Sequence, residues 1–130
     1  MSLILGDTMD ADGNVVTANL LGGGAGDDTI RGLTDADTLQ GAQGDDILEG
    51  GPGNDILEGG EGTDTLDGSA GDDTLTGGFG ADSLSGGDGN DLYIVDNIND
   101  IILDVSGADT VRALTSFTID LGIENLILDD

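Results

Sequence analysis

Residues 23–94 read GGAGDDTIR, GLTDADTLQ, GAQGDDILE, GGPGNDILE, GGEGTDTLD, GSAGDDTLT, GGFGADSLS and GGDGNDLYI, eight nonapeptides in tandem without a gap. Position 1 is Gly in all eight, position 6 is Asp in all eight, and position 4 is Gly in every unit but the second, where Asp35 stands. Position 8 is always large and apolar. A nine-residue unit with one apolar side chain buries nothing alone, so the units must stack on one another, and that stack is the fold.

Positions 1 to 6 are glycine-rich and acidic, which suits a turn with left-handed backbone. Positions 7 to 9 read as a strand of about three residues, with position 8 facing one way and positions 7 and 9 the other. The predicted inward set is therefore Ile30, Leu39, Leu48, Leu57, Leu66, Leu75, Leu84 and Tyr93. A chain returning over itself needs two turns, so two nonapeptides make one coil and residues eighteen apart lie above one another, at about 4.8 Å per strand. Two parallel sheets result, one from the odd repeats and one from the even. The sixth-position aspartates fall into two columns, Asp28, Asp46, Asp64 and Asp82 on one side and Asp37, Asp55, Asp73 and Asp91 on the other.

Carboxylates stacked at roughly 5 Å repel by about 1 kcal/mol per neighbouring pair even in a water-like dielectric. A cation has to neutralise them. Ca²⁺ fits, because it takes six to eight oxygens in flexible geometry and glycine-rich turns offer bare backbone carbonyls. Zinc and copper are disfavoured, since the chain has neither His nor Cys. Magnesium stays open, although it prefers retained water and stricter octahedra.

The motif GGxGxDxUx in these units resembles the RTX repeat (repeats-in-toxin, the haemolysin-type calcium-binding repeat) of bacterial proteins exported by type I secretion, such as haemolysins, serralysin-type metalloproteases, lipases and mannuronan epimerases. It covers 72 of the 130 residues. The resemblance implies an all-β, right-handed parallel β-roll with Ca²⁺ held between successive turns on each side. It implies that Asp28, Asp37, Asp46, Asp55, Asp64, Asp73, Asp82 and Asp91 bridge ions above and below. It implies also that carbonyls from the turns complete the shells: Gly23, Ala25 and Gly26; Gly41, Gln43 and Gly44; Gly50, Gly51, Pro52 and Gly53; Gly59, Gly60, Glu61 and Gly62; Gly68, Ala70 and Gly71; Gly77, Phe79 and Gly80; Gly86, Asp88 and Gly89. The departures from the pattern are Leu33 and Asp35 in the second unit, Ala42 in the third and Ser69 in the sixth. Four stacked turns per side leave three gaps per side, which gives about six ions.

Composition sets the conditions for folding. Two arginines, Arg31 and Arg112, face 28 acids for a net charge of −26, with 25 glycines and 2% aromatic residues. Such a chain lies near the composition of disordered proteins, so folding is expected to be conditional on cation, whose binding free energy becomes folding free energy. The acidity argues against nucleic acid and anionic membranes as partners. No run of about 20 apolar residues is present for membrane insertion. The N-terminus has a short apolar run at Leu3, Ile4 and Leu5 with no basic n-region of a signal peptide. The family resemblance instead implies export by type I secretion machinery with a C-terminal signal, hence a secreted, extracellular location.

Three regions are expected: an N-terminal cap over 1–22, the roll over 23–94, and a β-rich capping segment over 95–130, cut from a longer chain. In the first, Leu3–Leu5 and Val15–Val16 flank a turn-rich stretch, as in a β-hairpin or irregular cap, and NVVTANLLG keeps the nonapeptide register with Leu21 at position 8. Asp10, Asp12 and Gly13 have the look of an EF-hand loop, but Thr8 and Asn19 stand where its first and last acids belong, so a surface turn is the better reading. After Ile94 the regular pattern stops while LYIVD, DIILDV, DTVRAL, SFTID and ENLILDD continue as strand-like runs. An uncapped end would invite end-to-end self-association. The Thr-rich position 7 is interrupted by Ile47 and Ile56, which speaks for plain strand filling rather than an ice-binding face.

No catalytic constellation emerges. Without His or Cys the usual triads cannot be built, and the carboxylates are better explained as metal ligands than as an acid/base pair. The leading reading is a non-enzymatic calcium-binding module that folds outside the cell. The alternative is an adhesion or polysaccharide-binding module, with a glycan as partner.

Overall fold

In the computed structural model of the chain, the described residues are 3–5, 8–9, 15–16, 20–103, 106–114 and 125–128. Their strands are β1 (Leu3–Leu5), β2 (Thr8–Met9), β3 (Val15–Val16), β4 (Leu20–Ala25), β5 (Thr29–Arg31), β6 (Thr38–Gln43), β7 (Ile47–Pro52), β8 (Ile56–Glu61), β9 (Thr65–Ala70), β10 (Thr74–Phe79), β11 (Ser83–Asp88), β12 (Leu92–Val95), β13 (Ile101–Ile102), β14 (Thr110–Ala113) and β15 (Asn125–Leu128). The described residues contain no helix long and apolar enough to cross a membrane.

From β4 to β14, consecutive strands alternate between two parallel sheets. One sheet runs β1-β5-β7-β9-β11-β13 and the other β15-β14-β12-β10-β8-β6-β4. From β4 to β14 the register within each is eighteen residues: Leu39 pairs with Leu57 and Leu57 with Leu75 in one sheet, Leu48 with Leu66 and Leu66 with Leu84 in the other. This is the all-β solenoid with eighteen residues per coil that the repeat demands. All eight predicted inward side chains lie in one core cluster, each 0–1% exposed. Each contributes about 1.5–3 kcal/mol by leaving water, so the core is thin but continuous.

Two features depart from the expected picture. The strands are six residues long in most repeats rather than three, because pairing runs on through positions 1 to 3 of the following unit, as in TLQGAQ of β6 and ILEGGE of β8. The inward face is correspondingly longer: the sixth-position Asp, the eighth-position aliphatic residue and the next unit's first glycine are all buried, for example Asp46, Leu48 and Gly50. Position 7 faces outward as expected, with Ile47 at 40% and Ile56 at 52% exposure.

The pairing also continues at both ends of the tract. Leu21 pairs with Leu39 and joins the core, while β1 pairs with β5. Strands β2 and β3 form an antiparallel pair, so the N-terminal region includes a hairpin. The EF-hand-like residues 10–13 lie outside the described residues. Past Ile94, β13 pairs with β11 and β14 with β12, both still at eighteen residues, and Val95, Val111 and Ala113 extend the core. Two outer strands change step: β15 lies fifteen residues beyond β14, and β1 lies twenty-six residues before β5. The run SFTID lies outside the described residues.

Candidate metal centre

Every sixth-position aspartate is buried, from 1% to 4% exposed. The reason is its place at the entry of a strand, on the face that turns inward, where it precedes the core leucine by two residues. Its two oxygens have different surroundings. Oδ1 accepts the backbone N–H of the sixth-position residue one coil earlier: Asp46 from Asp28 at 2.7 Å, Asp64 from Asp46 at 2.8 Å, Asp82 from Asp64 at 2.8 Å, Asp55 from Asp37 at 2.7 Å and Asp73 from Asp55 at 2.7 Å. Oδ2 of Asp46, Asp55, Asp64, Asp73 and Asp82 is buried with no hydrogen-bond donor from the protein. The chain itself thus uses Oδ1 to tie coil to coil, while Oδ2 of these five is the oxygen without a protein donor.

A buried acceptor left without a donor costs about 1–3 kcal/mol, more for a charged group. Here the bare oxygens sit beside the first-position glycines. A Cβ built on Gly23, Gly32, Gly41, Gly50, Gly59 or Gly68 would collide with Oδ2 of that unit's own aspartate and with the carbonyl oxygen of the glycine eighteen residues on. Each such cradle therefore brings a carboxylate oxygen and a backbone carbonyl oxygen from adjacent coils to the same small space. Hard oxygen donors of this kind, without nitrogen or sulfur, suit Ca²⁺. Among the described residues no three carboxylates converge on one point. The backbone thus has to supply much of any coordination shell.

The remaining turn carbonyls divide into two groups. Those of Gln43, Glu61, Ala70, Phe79 and Asp88 at position 3 each accept an N–H from the fourth-position glycine one coil earlier, at 2.7–2.9 Å. Those of Gly26, Gly44, Gly53, Gly62 and Gly71 at position 4 face the Cα of the fourth-position glycine of the next coil, so closely that a side chain there would collide. Backbone conformation makes the same demand. The non-glycine residues with positive φ among those described are Leu33 (84°), Asp35 (71°), Ala42 (88°) and Ser69 (81°), the four departures from the repeat pattern.

Burial raises the pKa of five of these aspartates. It pushes Asp64, Asp73 and Asp82 up to about 6; the backbone N–H bonds from Asp46, Asp55 and Asp64 oppose it, and neighbouring carboxylates add to it. Asp46 and Asp55 are raised as well, again chiefly by burial. A divalent cation against Oδ2 would reverse that penalty.

Three things escaped the sequence reading. Asp100 and Asp109 prolong the two columns, 5% and 0% exposed, accepting the N–H of Asp82 at 3.1 Å and of Asp91 at 2.7 Å. Their nine-residue spacing from Asp91 was the available signal. The fifth position carries a second ladder running the opposite way: Oδ1 of Asp27, Asp45, Asn54, Asp72 and Asn90 accepts the N–H of the residue eighteen later. The frequent Asp or Asn at that position was its trace. The third is the burial of the first-position glycines from Gly32 to Gly86.

Residues 22–57 and 58–93 each match the family model of the RTX calcium-binding nonapeptide repeat (4 copies). No curated protein matches the chain.

Proposed function

The chain belongs to the family of RTX calcium-binding nonapeptide repeats, and from that premise we propose that it is a β-roll module that folds on taking up Ca²⁺ outside the cell, supporting the secretion and folding of a larger secreted protein. Calcium binding and the parallel solenoid follow from the family. The conditional folding is our own reading, carried by one observation: the Oδ2 atoms of Asp46, Asp55, Asp64, Asp73 and Asp82 are buried without a donor, each against the first-position glycine of its unit.

In this reading Asp28, Asp37, Asp46, Asp55, Asp64 and Asp73, with the carbonyls of Gly41, Gly50, Gly59, Gly68, Gly77 and Gly86, hold about six ions, one per cradle. The cation supplies positive charge where the chain has only acceptors. Six divalent ions reduce the formal charge from −26 to about −14, which still favours solubility. Inside a cell, where free calcium is scarce, the same carboxylates and 25 glycines favour the open chain, the form a secretion channel can pass. The role is structural, without catalysis.

A titration of far-UV circular dichroism and hydrodynamic radius with CaCl₂ against MgCl₂ tests this. The expected result is a cooperative gain of β signal and compaction with calcium at millimolar levels, and a weaker response to magnesium. A compact β protein already present in chelator would overturn the reading.

A second reading, glycan contact, has one observation in its favour. The Phe79 ring, 75% exposed, stands beside a shallow cavity of about 220 Å³ lined by Glu58, Glu61 and Asp96 over Gly60 and Gly78. Glycan-array binding with and without calcium, lost in Phe79→Ala, would support it.

A further inference from the structure

The fifth-position side chains of Asp27, Asp45, Asn54 and Asp72 are exposed and stand one residue before the buried cradle aspartates. Oδ1 of Asn54 accepts the backbone N–H of Asp72, one coil later, at 3.0 Å, while Oδ1 of Asp73 accepts the N–H of Asp55, one coil earlier, at 2.7 Å. Residues 54–55 and 72–73 are thus joined by two bonds running in opposite directions. The same reciprocal pair joins 27–28 to 45–46, 45–46 to 63–64 and 72–73 to 90–91, at 2.7–3.0 Å.

These bonds fill a gap in the backbone pairing. Backbone bonds link successive coils up to the N–H of the fourth-position glycine and again from the sixth-position carbonyl, as in Gly53 to Ala70 and Thr74 to Asp55. Between those points the fifth- and sixth-position side chains make the link, one in each direction. With both present, a turn is fixed against its neighbour at two adjacent residues; with one, it can pivot. The fit is close: a Cβ on Gly71 would come within 2.9 Å of Asn54 Oδ1, and one on Gly62 within 3.1 Å of Asp45 Oδ1.

Each clamp crosses one cradle. The Asp55 carboxylate and the Gly68 carbonyl oxygen, which meet at Gly50, belong to successive coils, so the step between coils sets the space between them. The cradles at Gly23, Gly41 and Gly68 are crossed in the same way. At the Gly59 cradle the step runs from Thr63 to Ala81, and among the described residues no hydrogen bond joins those two; only the sixth-position half of the pair, from Asp64 to Asp82, is made. At Gly32 the fifth-position residue is Ala36, whose side chain has no acceptor.

We propose that Asp27, Asp45, Asn54 and Asp72 are positioning residues for calcium: by accepting an N–H from the next coil they hold the carboxylate and the carbonyl of a cradle at a fixed separation, so that binding has less of the turn left to order. This rests on the calcium reading of the cradles given above. The role needs an acceptor oxygen and no charge, and Asn54, uncharged, makes the same bond as the aspartates.

Calcium titrations of the full chain, followed by circular dichroism and isothermal titration, test this on the wild type, Asn54→Ala, Asn54→Asp and Thr63→Asn. Asn54→Ala deletes the acceptor without changing the charge, and is expected to raise the calcium midpoint by up to about fivefold, the loss of one neutral hydrogen bond. Asn54→Asp keeps the acceptor, and its midpoint is expected to lie below that of Asn54→Ala. An unchanged midpoint in Asn54→Ala, or one in Asn54→Asp as high as in Asn54→Ala, overturns the proposal. Should Asn54→Ala not fold at saturating calcium, Thr63→Asn decides. It supplies the acceptor missing for Ala81, so a lowered midpoint supports the proposal and an unchanged or raised one overturns it. A wild-type chain that binds no calcium would sink the cradle reading itself, which separates the two failures.

Discussion

The backbone N–H of Asp46 donates to Oδ1 of Asp64, one coil further on, at 2.8 Å, while Oδ2 of Asp64 has no donor from the protein. Under the proposed function one carboxylate therefore has two separable duties, tying coil to coil and holding cation. Asp64→Asn keeps the acceptor for Asp46 and loses the charge at the cradle. Loss of a charge-assisted ligand at about 1.5–3 kcal/mol corresponds to a calcium midpoint raised about tenfold or more. Asp64→Ala removes both duties and is expected to do worse. Asp37→Ala is expected to shift the midpoint less than Asp64→Ala, because its turn already contains Leu33 and Asp35 at positive φ and is weak from the start. Calcium titrations of the three variants side by side check the order; equal midpoints for Asp37→Ala and Asp64→Ala would refute it.

Leu33, Ala42 and Ser69 hold backbone that glycine adopts freely. Left-handed backbone costs an L-residue roughly 1–2 kcal/mol, against which glycine loses about 0.5–1 kcal/mol in chain entropy. Ala42→Gly and Ser69→Gly are each expected to stabilise the calcium-loaded chain by up to about 1 kcal/mol and to lower the calcium midpoint. Thermal melts at saturating calcium read this directly, and a lowered melting temperature in both variants would show that the φ strain is not the controlling term.

These positions also show how far the sequence could be read. The coil length, the two sheets, the core set and the strained residues all follow from a nine-residue period with one apolar side chain, because stacking leaves no other burial. Strand length did not follow. Positions 1 to 3 are glycine-rich and poor in strand propensity, and only the close approach of neighbouring coils makes them pair. Asp100 and Asp109 were hidden for a different reason. Their units, VDNINDIIL and DVSGADTVR, keep the sixth-position acid but have lost most of the glycine pattern that announces a turn.

Leu66 lies at the middle of its sheet, paired with Leu48 and Leu84 and 1% exposed. With one aliphatic side chain per unit, the neighbours have no spare volume with which to fill a gap. Leu66→Ala is expected to cost about 2–5 kcal/mol. Because folding and binding are linked, the loss appears as a raised calcium midpoint as well as a lower melting temperature. Thr65→Ala, on the outward face one residue away, serves as the comparison; equal effects from the two would contradict the inward assignment of position 8.

With calcium held by the buried carboxylates, as proposed, protons compete for the same groups, and opposite pH dependences are expected with and without the metal. In the folded chain Asp64, Asp73 and Asp82 titrate at about 6, raised by burial, against about 3.9 for an unfolded aspartate. Between those values the folded state holds more protons than the unfolded one, so stability falls as pH rises. The contribution is fully present below about pH 4 and lost as pH passes through about 6. In chelator, therefore, the chain is expected to retain more β structure at about pH 5 than at about pH 7.5. With calcium the order inverts, because a protonated carboxyl has to release its proton before it can ligate, and the calcium midpoint is expected to be higher at about pH 5. Circular dichroism at the two pH values, in chelator and along a calcium titration, measures both effects. A calcium midpoint that does not move between them would show that the buried aspartates are not the groups at which calcium binds.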